Sequence, residues 1–409
     1  MKKLILSFAL LAFSFQIFTF NGVAQTAYIT NYSNNTVSVI NIVTNEVTNT
    51  ITVGAGPNGV SVSPDGSKVY VADYGTNKVS VINTATAAVT ATITVGHHPK
   101  GIAFSPDGSK AYIANNLDGT VSVVNSATNT VSKTIKVGTY PGGIAVSPDG
   151  KNVYVADGTD SVNVINSVSN TVSSVIIVGS GPDGIAVSPD GSKVYVVGQY
   201  DNTVMVINTA ADTVSAMIKG GSNPVGICIT PNGKNVYVTN ADVNTVSVIN
   251  SASDTVSATI NVGNDPGGIS VSPDGSSVYV ANWRDNTVNV INTSVNTISD
   301  TITVGAGPLA FGNFISTYTI PVGLISLNNR PKDITVYPNP ANADITIETG
   351  DLQFSNSELQ IYDVVGNLVA EKRLANNKIS IDISQFSKGL YFLKVANENG
   401  FTVKQFVKE

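Results

Sequence analysis

Two histidines stand side by side, His97 and His98, in the segment VGHHPKG, and the chain has no others. Imidazoles ligate copper, haem iron and zinc, but such sites need several of them converging from separate elements. Two neighbours on one loop fall short of that set. They read either as solvated loop residues or as a weak contact to a metal or ligand. Trp283 and Arg284, in the segment NWRDN, are the single Trp of the chain and its first Arg. Indole offers a stacking face and guanidinium a planar fork of donors, a pairing common at binding hot spots. Tyr74, Tyr140 and Tyr200 lie in comparable loops. With Trp283 they suggest an aromatic surface suited to carbohydrate or peptide; the alternative is that each ring covers only its own structural unit.

Asn and Asp gather in the same loops: Asp73, Asn115, Asn116, Asp118, Asp157, Asp160, Asp201, Asn240, Asp242 and Asp285. Carboxylates could hold a hard cation, yet no loop has the alternating acidic spacing of a calcium loop. Asx side chains also form turns by bonding their own backbone. Cys228 is the one cysteine, so no intrachain disulfide exists, and its apolar run (225–229) predicts a buried, unreactive thiol. No glycine-rich phosphate loop, GxSxG elbow or HExxH helix occurs. No metal or cofactor is expected from these residues.

What positions these loops is a repeat. The stretch 69–83, VYVADYGTNKVSVIN, returns in copies that begin at Ala27, Ala111, Val153, Val194, Val236 and Val278. The turn Ser63-Pro64-Asp65-Gly66 recurs with its proline at Pro106, Pro148, Pro189, Pro231 and Pro273, at intervals of 42, 42, 41, 42 and 42 residues. A third marker, VGAGPNG at 53–59, recurs in the same rhythm. Each period reads as four short strands, in which apolar residues alternate with Ser, Thr or Asn. Proline pre-sets the first turn corner, Asp bonds locally and Gly takes the left-handed position. A lone four-stranded sheet cannot bury both faces, whereas a closed ring of them can. Units of this length therefore predict an all-β, seven-bladed β-propeller with four-stranded antiparallel blades. The array opens on a YV-type strand (27–31) and ends on an inner-type strand (308–316, PLAFGNFIS). Residues 308–316 are thus expected to supply the innermost strand of the blade begun at 27–53, closing the ring by strand exchange. The inner strands (GVSVS, GIAFS, GIAVS, GICIT, GISVS) are almost free of charge, and Glu46 is the only Glu of the array. That argues against an acid–base site on them. Lys68, Lys110 and Lys193 follow the turns on the opposite rim and read as solubilising.

The chain has 409 residues, 12% of them charged, and a net charge of −6. No cationic cluster suits a nucleic-acid partner. Met1-Lys2-Lys3 followed by an apolar run to Phe20 and small residues before Gln25 reads as a signal peptide, residues 1–24. No later segment could span a bilayer. The propeller is assigned to 25–317, and 318–332 reads as a linker. Beyond it, at 333–409, six or seven further strands suggest a small Ig-like β-sandwich, with a hairpin turn at Val365-Gly366-Asn367.

The motifs VYVADYGTNKVSVIN, VYVTNADVNTVSVIN and VYVANWRDNTVNVIN, with SPDG turns between them, closely resemble the YVTN-family β-propellers of microbial cell surfaces. Related propellers include lactonases and oxidoreductase domains. In the tail, Tyr337-Pro338-Asn339-Pro340, then Gly366, Gly389-Leu390-Tyr391 and the closing residues Lys404 to Lys408, are similar to the C-terminal sorting domain of type IX secretion cargo. That resemblance implies export by Sec and then by the type IX machinery, to the surface or the medium. The reading is a secreted, monomeric, non-enzymatic propeller that binds a surface polysaccharide or an extracellular protein on the rim of Trp283, Arg284, Tyr74, Tyr140, Tyr200, His97 and His98. The alternatives are a metal-dependent lactonase-like hydrolase and a structural surface coat.

Overall fold

The computed structural model describes residues 25–316, 335–348, 357–363, 368–374, 378–397 and 400–408. The expected signal peptide, the linker and the turn at Gly366 lie outside the described residues. The first unit is the seven-bladed propeller. Blade one has the strands Pro57–Val62, Lys68–Asp73, Lys78–Asn83 and Ala88–Thr94, hydrogen-bonded in sequence order from the axis outward. Blades two to six repeat this order over residues 99–136, 144–177, 182–219, 224–261 and 266–303.

Burial follows position in the blade. The second and third strands are covered on both faces by neighbouring blades, so nearly every residue of Lys68–Asp73 and Lys78–Asn83 is buried, the Ser included. This is why they read as near-continuous runs of Val, Ile, Ala and Tyr. The outer strand Ala88–Thr94 alternates, with Ile93 turned inward. In every blade the third and outer strands slip register by one residue, as between Val81 and Ile82. Such a bulge adds right-handed twist, which a blade widening away from the axis requires.

The tyrosine of each second strand is buried, and several of them bond the next blade. Tyr70 Oη donates to Asn129 Oδ1 (2.6 Å), Tyr237 Oη to Asn296 Oδ1 (2.9 Å) and Tyr279 Oη to Asn45 Oδ1 (2.9 Å). Burial pushes the Tyr70 phenol up to about 12. The lysines after the turns do more than solubilise. Lys193 Nζ lies 2.8 Å from Asp254 and from the carbonyl of Ser251, Lys110 Nζ donates to Ser167 O (2.7 Å), and Lys68 Nζ to Ser126 O (2.5 Å). They bridge adjacent blades on that rim, a role the sequence reading assigned to none of them.

Closure occurs as the permuted array predicts. The strands Thr26–Asn31, Thr36–Asn41 and Glu46–Thr52 form only three-quarters of blade seven. Residues 308–316 complete it. Tyr28 N donates to Phe314 O (2.9 Å), Ser316 N to Thr26 O (2.9 Å) and Leu309 N to Thr30 O (3.0 Å). The same segment binds its neighbours: Val60 N donates to Phe311 O (3.0 Å), Val62 N to Asn313 O (3.1 Å) and Gly268 N to Leu309 O (2.8 Å). Phe314 and Ile315 are buried in the core that joins blades six, seven and one.

The tail is a separate β unit of two sheets. Thr335–Tyr337, Asp344–Glu348 and Lys378–Asp382 form one, and Leu368–Leu374, Ser357–Tyr362, Gly389–Asn397 and Gly400–Lys408 the other, in those orders. Ile345, Ile347, Leu359, Ile361, Ile381, Leu393, Val395 and Phe406 fill the core between them. The sorting motif is part of this framework. Tyr391 stacks on Phe406 (5.5 Å) and donates to Ser387 O, while Asn339 Oδ1 accepts from Val407 N (2.9 Å). Tyr337 Oη and Lys378 Nζ both bond Glu348 Oε1.

Candidate functional site

The loops that enter each blade and those that follow each second strand meet on one rim. The residue before each loop proline has a left-handed backbone: Gly56, His98, Tyr140, Gly181, Asn223, Asp265 and Gly307, with φ from 52° to 68°. A residue preceding proline normally stays extended, and His or Tyr at positive φ is uncommon. Asx side chains hold the shape. The Oδ1 of Asn35, Asn77, Asn202, Asn244 and Asn286 accepts the amide of Gly56, His98, Asn223, Asp265 and Gly307 respectively, at 2.7–3.0 Å. Asn115, Asn240 and Asn282 are buried beneath and donate through Nδ2 to Thr and to Ser or Asn of the third strand. Asp157 accepts from Thr159 and Ser161. The turn-forming reading of these residues accounts for the geometry. Among the described residues no three His, Cys, Asp or Glu gather at metal-binding spacing.

The aromatic candidates separate into two sets. Trp283 of blade six lies 5.5 Å from Tyr32 of blade seven, ring centre to ring centre, with its edge over Gly307. Tyr32 covers Gly56, where an added Cβ would sit 3.1 Å from its ring. Gly56 O accepts the amide of Tyr74, and Tyr74 stacks on His98 at 4.2 Å and 23°. An arc of four rings thus crosses blades six, seven and one and ends on the loop into blade two; all four are half-buried. Tyr140 (54% exposed) and Tyr200 (75%) stand apart on other blades, with Tyr200 over Gly181. Arg284, beside Trp283, is exposed and pairs with Asp265 at 3.1 Å. His97 is exposed and bonds Asp118 at 2.8 Å; its backbone amide, bonding the same carboxylate, holds that group below the usual range. The sequence reading missed Tyr32, although Asn31-Tyr32 occupies the register of Asp73-Tyr74 and Asn282-Trp283.

A second feature it missed lies at the mouth of the central channel. Except in blade three, where it begins at Ile144, the inner strand of blades one to six begins at the loop proline, two residues earlier than expected, which brings the residue after that proline into the strand. Lys100 of blade two and Asp183 of blade four occupy this position and pair at 2.6 Å, reaching past Gly142 of blade three. Lys100 Nζ also lies 5.1 Å from the centre of the Phe311 ring, and Gln199 Nε2 donates to Asp183 Oδ2 (3.0 Å). The available signal was the register: Asn58, Lys100, Gly142, Asp183, Val225, Gly267 and Leu309 are equivalent, and only two carry charge. Beneath the pair, Ile102, Ile144, Ile185, Ile227, Ile269 and Phe311 narrow the channel to about 30 Å³. It widens toward the Ser-Pro-Asp-Gly side into a chamber of about 390 Å³ lined mostly by Ile, Val and Ala. Cys228 lines this chamber, and burial pushes its thiol far above the usual range, in accord with an unreactive group.

Comparison with known proteins agrees with this architecture. Residues 335–409 match the model of the secretion system C-terminal sorting domain. Such a tail marks its carrier for type IX secretion and the cell surface; among the described residues no helix is long and apolar enough to cross a membrane. Residues 17–215 and 146–299 match the model described as lactonase, 7-bladed beta-propeller. Among solved structures, Kuenenia stuttgartiensis hydrazine synthase is similar at 26% identity and TM-score 0.62, over 66% of this chain and 93% of that one. A functionally unknown protein from Desulfotomaculum acetoxidans matches at 17% identity and TM-score 0.62, over 70% and 99%, which speaks for the fold alone. The PE-PGRS family protein PE_PGRS18 of Mycobacterium tuberculosis is 65% identical over 37 residues, 9% of this chain. The chain spans only 8% of that relative's length. The propeller model extends over 17–299, well beyond half of the chain, and the chain belongs to the seven-bladed β-propeller lactonase family, with a secretion sorting domain as its C-terminal module.

Proposed function

We propose that the propeller is a non-enzymatic binding or adhesion module displayed at the cell surface, taking a glycan or protein ligand on the rim that carries Trp283. The observation that supports this most is the arc Trp283–Tyr32–Tyr74–His98, four rings held half-open by a rigid scaffold. Rigid aromatic surface binds at low entropic cost. Hydrolysis asks for a positioned base or a metal-activated water. The one charged pair at the channel mouth, Lys100 and Asp183, is already satisfied within itself and by Gln199. The family match gives a second reading, a lactonase-like hydrolase using a metal on the same rim. Type IX secretion components are the partners during export, and the mature propeller acts as a monomer.

The test is a panel of glycans and extracellular matrix proteins presented to the mature protein and its Trp283→Ala variant. Binding by the first, weakened tenfold or more in the second with melting unchanged, is the expected result. Stoichiometric metal in the purified protein together with lactone turnover would instead favour the hydrolase.

A further inference from the structure

We infer that the arc takes an uncharged oligosaccharide, lying across blades six, seven and one; this rests on the rim-binding reading above and names its ligand class. Three observations carry it. The first is spacing. Two ring pairs, Trp283–Tyr32 at 5.5 Å and Tyr74–His98 at 4.2 Å, follow one another along the rim, and Gly56, buried under the Tyr32 ring, lets that ring lie down between them where a side chain would lift it. The apolar faces of successive pyranose rings need such a row of flat aromatic surfaces, whereas a folded protein partner needs a broad patch. The second is charge. The loop residues that frame the arc in blades seven and one (31–35, 54–58, 74–77 and 304–308) contain no Lys, Arg, Asp or Glu. On the flanking loops Arg284 is paired with Asp265, and Asp118, Asp160, Asp201, Asp242 and Asp285 are exposed on the same rim. Carboxylates thus outnumber cations around the arc, a field that disfavours an acidic polysaccharide. The third is the hydrogen-bonding complement. Asn34 and Asn35 spend their Oδ1 on the amides of Ala306 and Gly56, which fixes the amide planes and leaves each Nδ2 unengaged. Ser33 and Thr76 add hydroxyls beside them. Neutral donors beside aromatic faces match sugar hydroxyls, and they orient a ligand without the desolvation cost of charge.

The chain's only tryptophan is itself in the arc, so its emission reports occupancy directly. The full mature protein is titrated with neutral oligosaccharides (gluco-, manno-, xylo- and chito-series), with oligogalacturonate, and with a soluble matrix protein. The expected result is a blue-shifted or quenched Trp283 signal with at least one neutral series. Affinity should fall tenfold or more in Tyr32→Ala and in Tyr74→Ala, both of which keep the reporter. Val168→Ser, on the opposite rim, should bind as the parent does, and circular dichroism melting checks each fold. A response to oligogalacturonate or to the protein alone would overturn the neutral-saccharide assignment and leave the rim reading standing. Binding that Tyr32→Ala and Tyr74→Ala retain in full would overturn the arc. Silence toward every probe would overturn both.

Discussion

Asp73 shows how a single substitution within a repeat changes the energetics. Its equivalents Asn31, Asn115, Asn240 and Asn282 are buried amides that donate to Thr and to Ser or Asn of the third strand. Asp73 is just as buried, accepts from Ser80 (2.6 Å), and leaves Oδ1 without a partner. Burial raises its carboxyl to about 6. A carboxyl whose folded value lies above its unfolded one costs stability when ionised. That cost is in full force above pH 6 and is relieved as the pH falls from about 6 toward 4. Asp73→Asn should therefore stabilise the propeller by ~1–2 kcal/mol at neutral pH, with the gain gone by pH 4, as urea midpoints across that range will show. Asn77→Ala should do the opposite. It removes the acceptor for the His98 amide and keeps a Cβ at φ 58° without the Asx side chain that offsets it. A loss of ~1–3 kcal/mol is expected, read by the same midpoints. These roles were hard to see in sequence, because Asx-rich loops look alike whether their side chains clamp backbone, hold cations or face water. Lys100 and Asp183 stayed hidden for another reason: their blades lie two apart, and only closure of the ring brings them together.

At the scale of the strand, most of the architecture was legible. Period, turn chemistry and alternation located all four strands of each blade, because local propensity and burial agree there. The missing information was what the second strand's tyrosine does. In sequence it reads as packing; in blades one, four, five and six its hydroxyl also bonds the next blade. Two positions separate packing from tethering. Tyr279 donates to Asn45 Oδ1 (2.9 Å) and Ile42 O (3.2 Å), across the seam between blades six and seven. Tyr112 is equally buried, yet its hydroxyl has no hydrogen-bond partner. Tyr279→Phe should cost ~1–2 kcal/mol, and Tyr112→Phe should be neutral or slightly stabilising. Thermal melting of the two variants side by side checks this. Lys193 has a comparable double role, and its carbonyl and carboxylate partners in the next blade explain why a lysine read as solubilising is half-buried.

At the scale of the molecule, the described residues of the ring and of its tail form distinct cores. Because residues 308–316 are the inner strand of blade seven, a chain ending at residue 307 should lose cooperative melting or melt far lower. A chain ending at residue 316 should keep the melting temperature of the parent propeller. Circular dichroism distinguishes the outcomes. The permuted repeat made this closure readable, since a register that begins on one strand type and ends on another has one way to complete its last sheet. The candidate rim was only partly readable, because fold-level repeats fix the scaffold while the arc depends on four loop residues in separate copies. The closure also decides how the molecule bears load. A surface-held tail would pull on the ring through residue 316, at the end of a strand bonded to Thr26, Tyr28 and Thr30 along one side and to Val60 and Val62 along another. Tension along that strand strains these bonds together, in shear, instead of opening them one after another. A propeller held by its tail would carry that load on its innermost segment, the piece of the chain that also closes the ring.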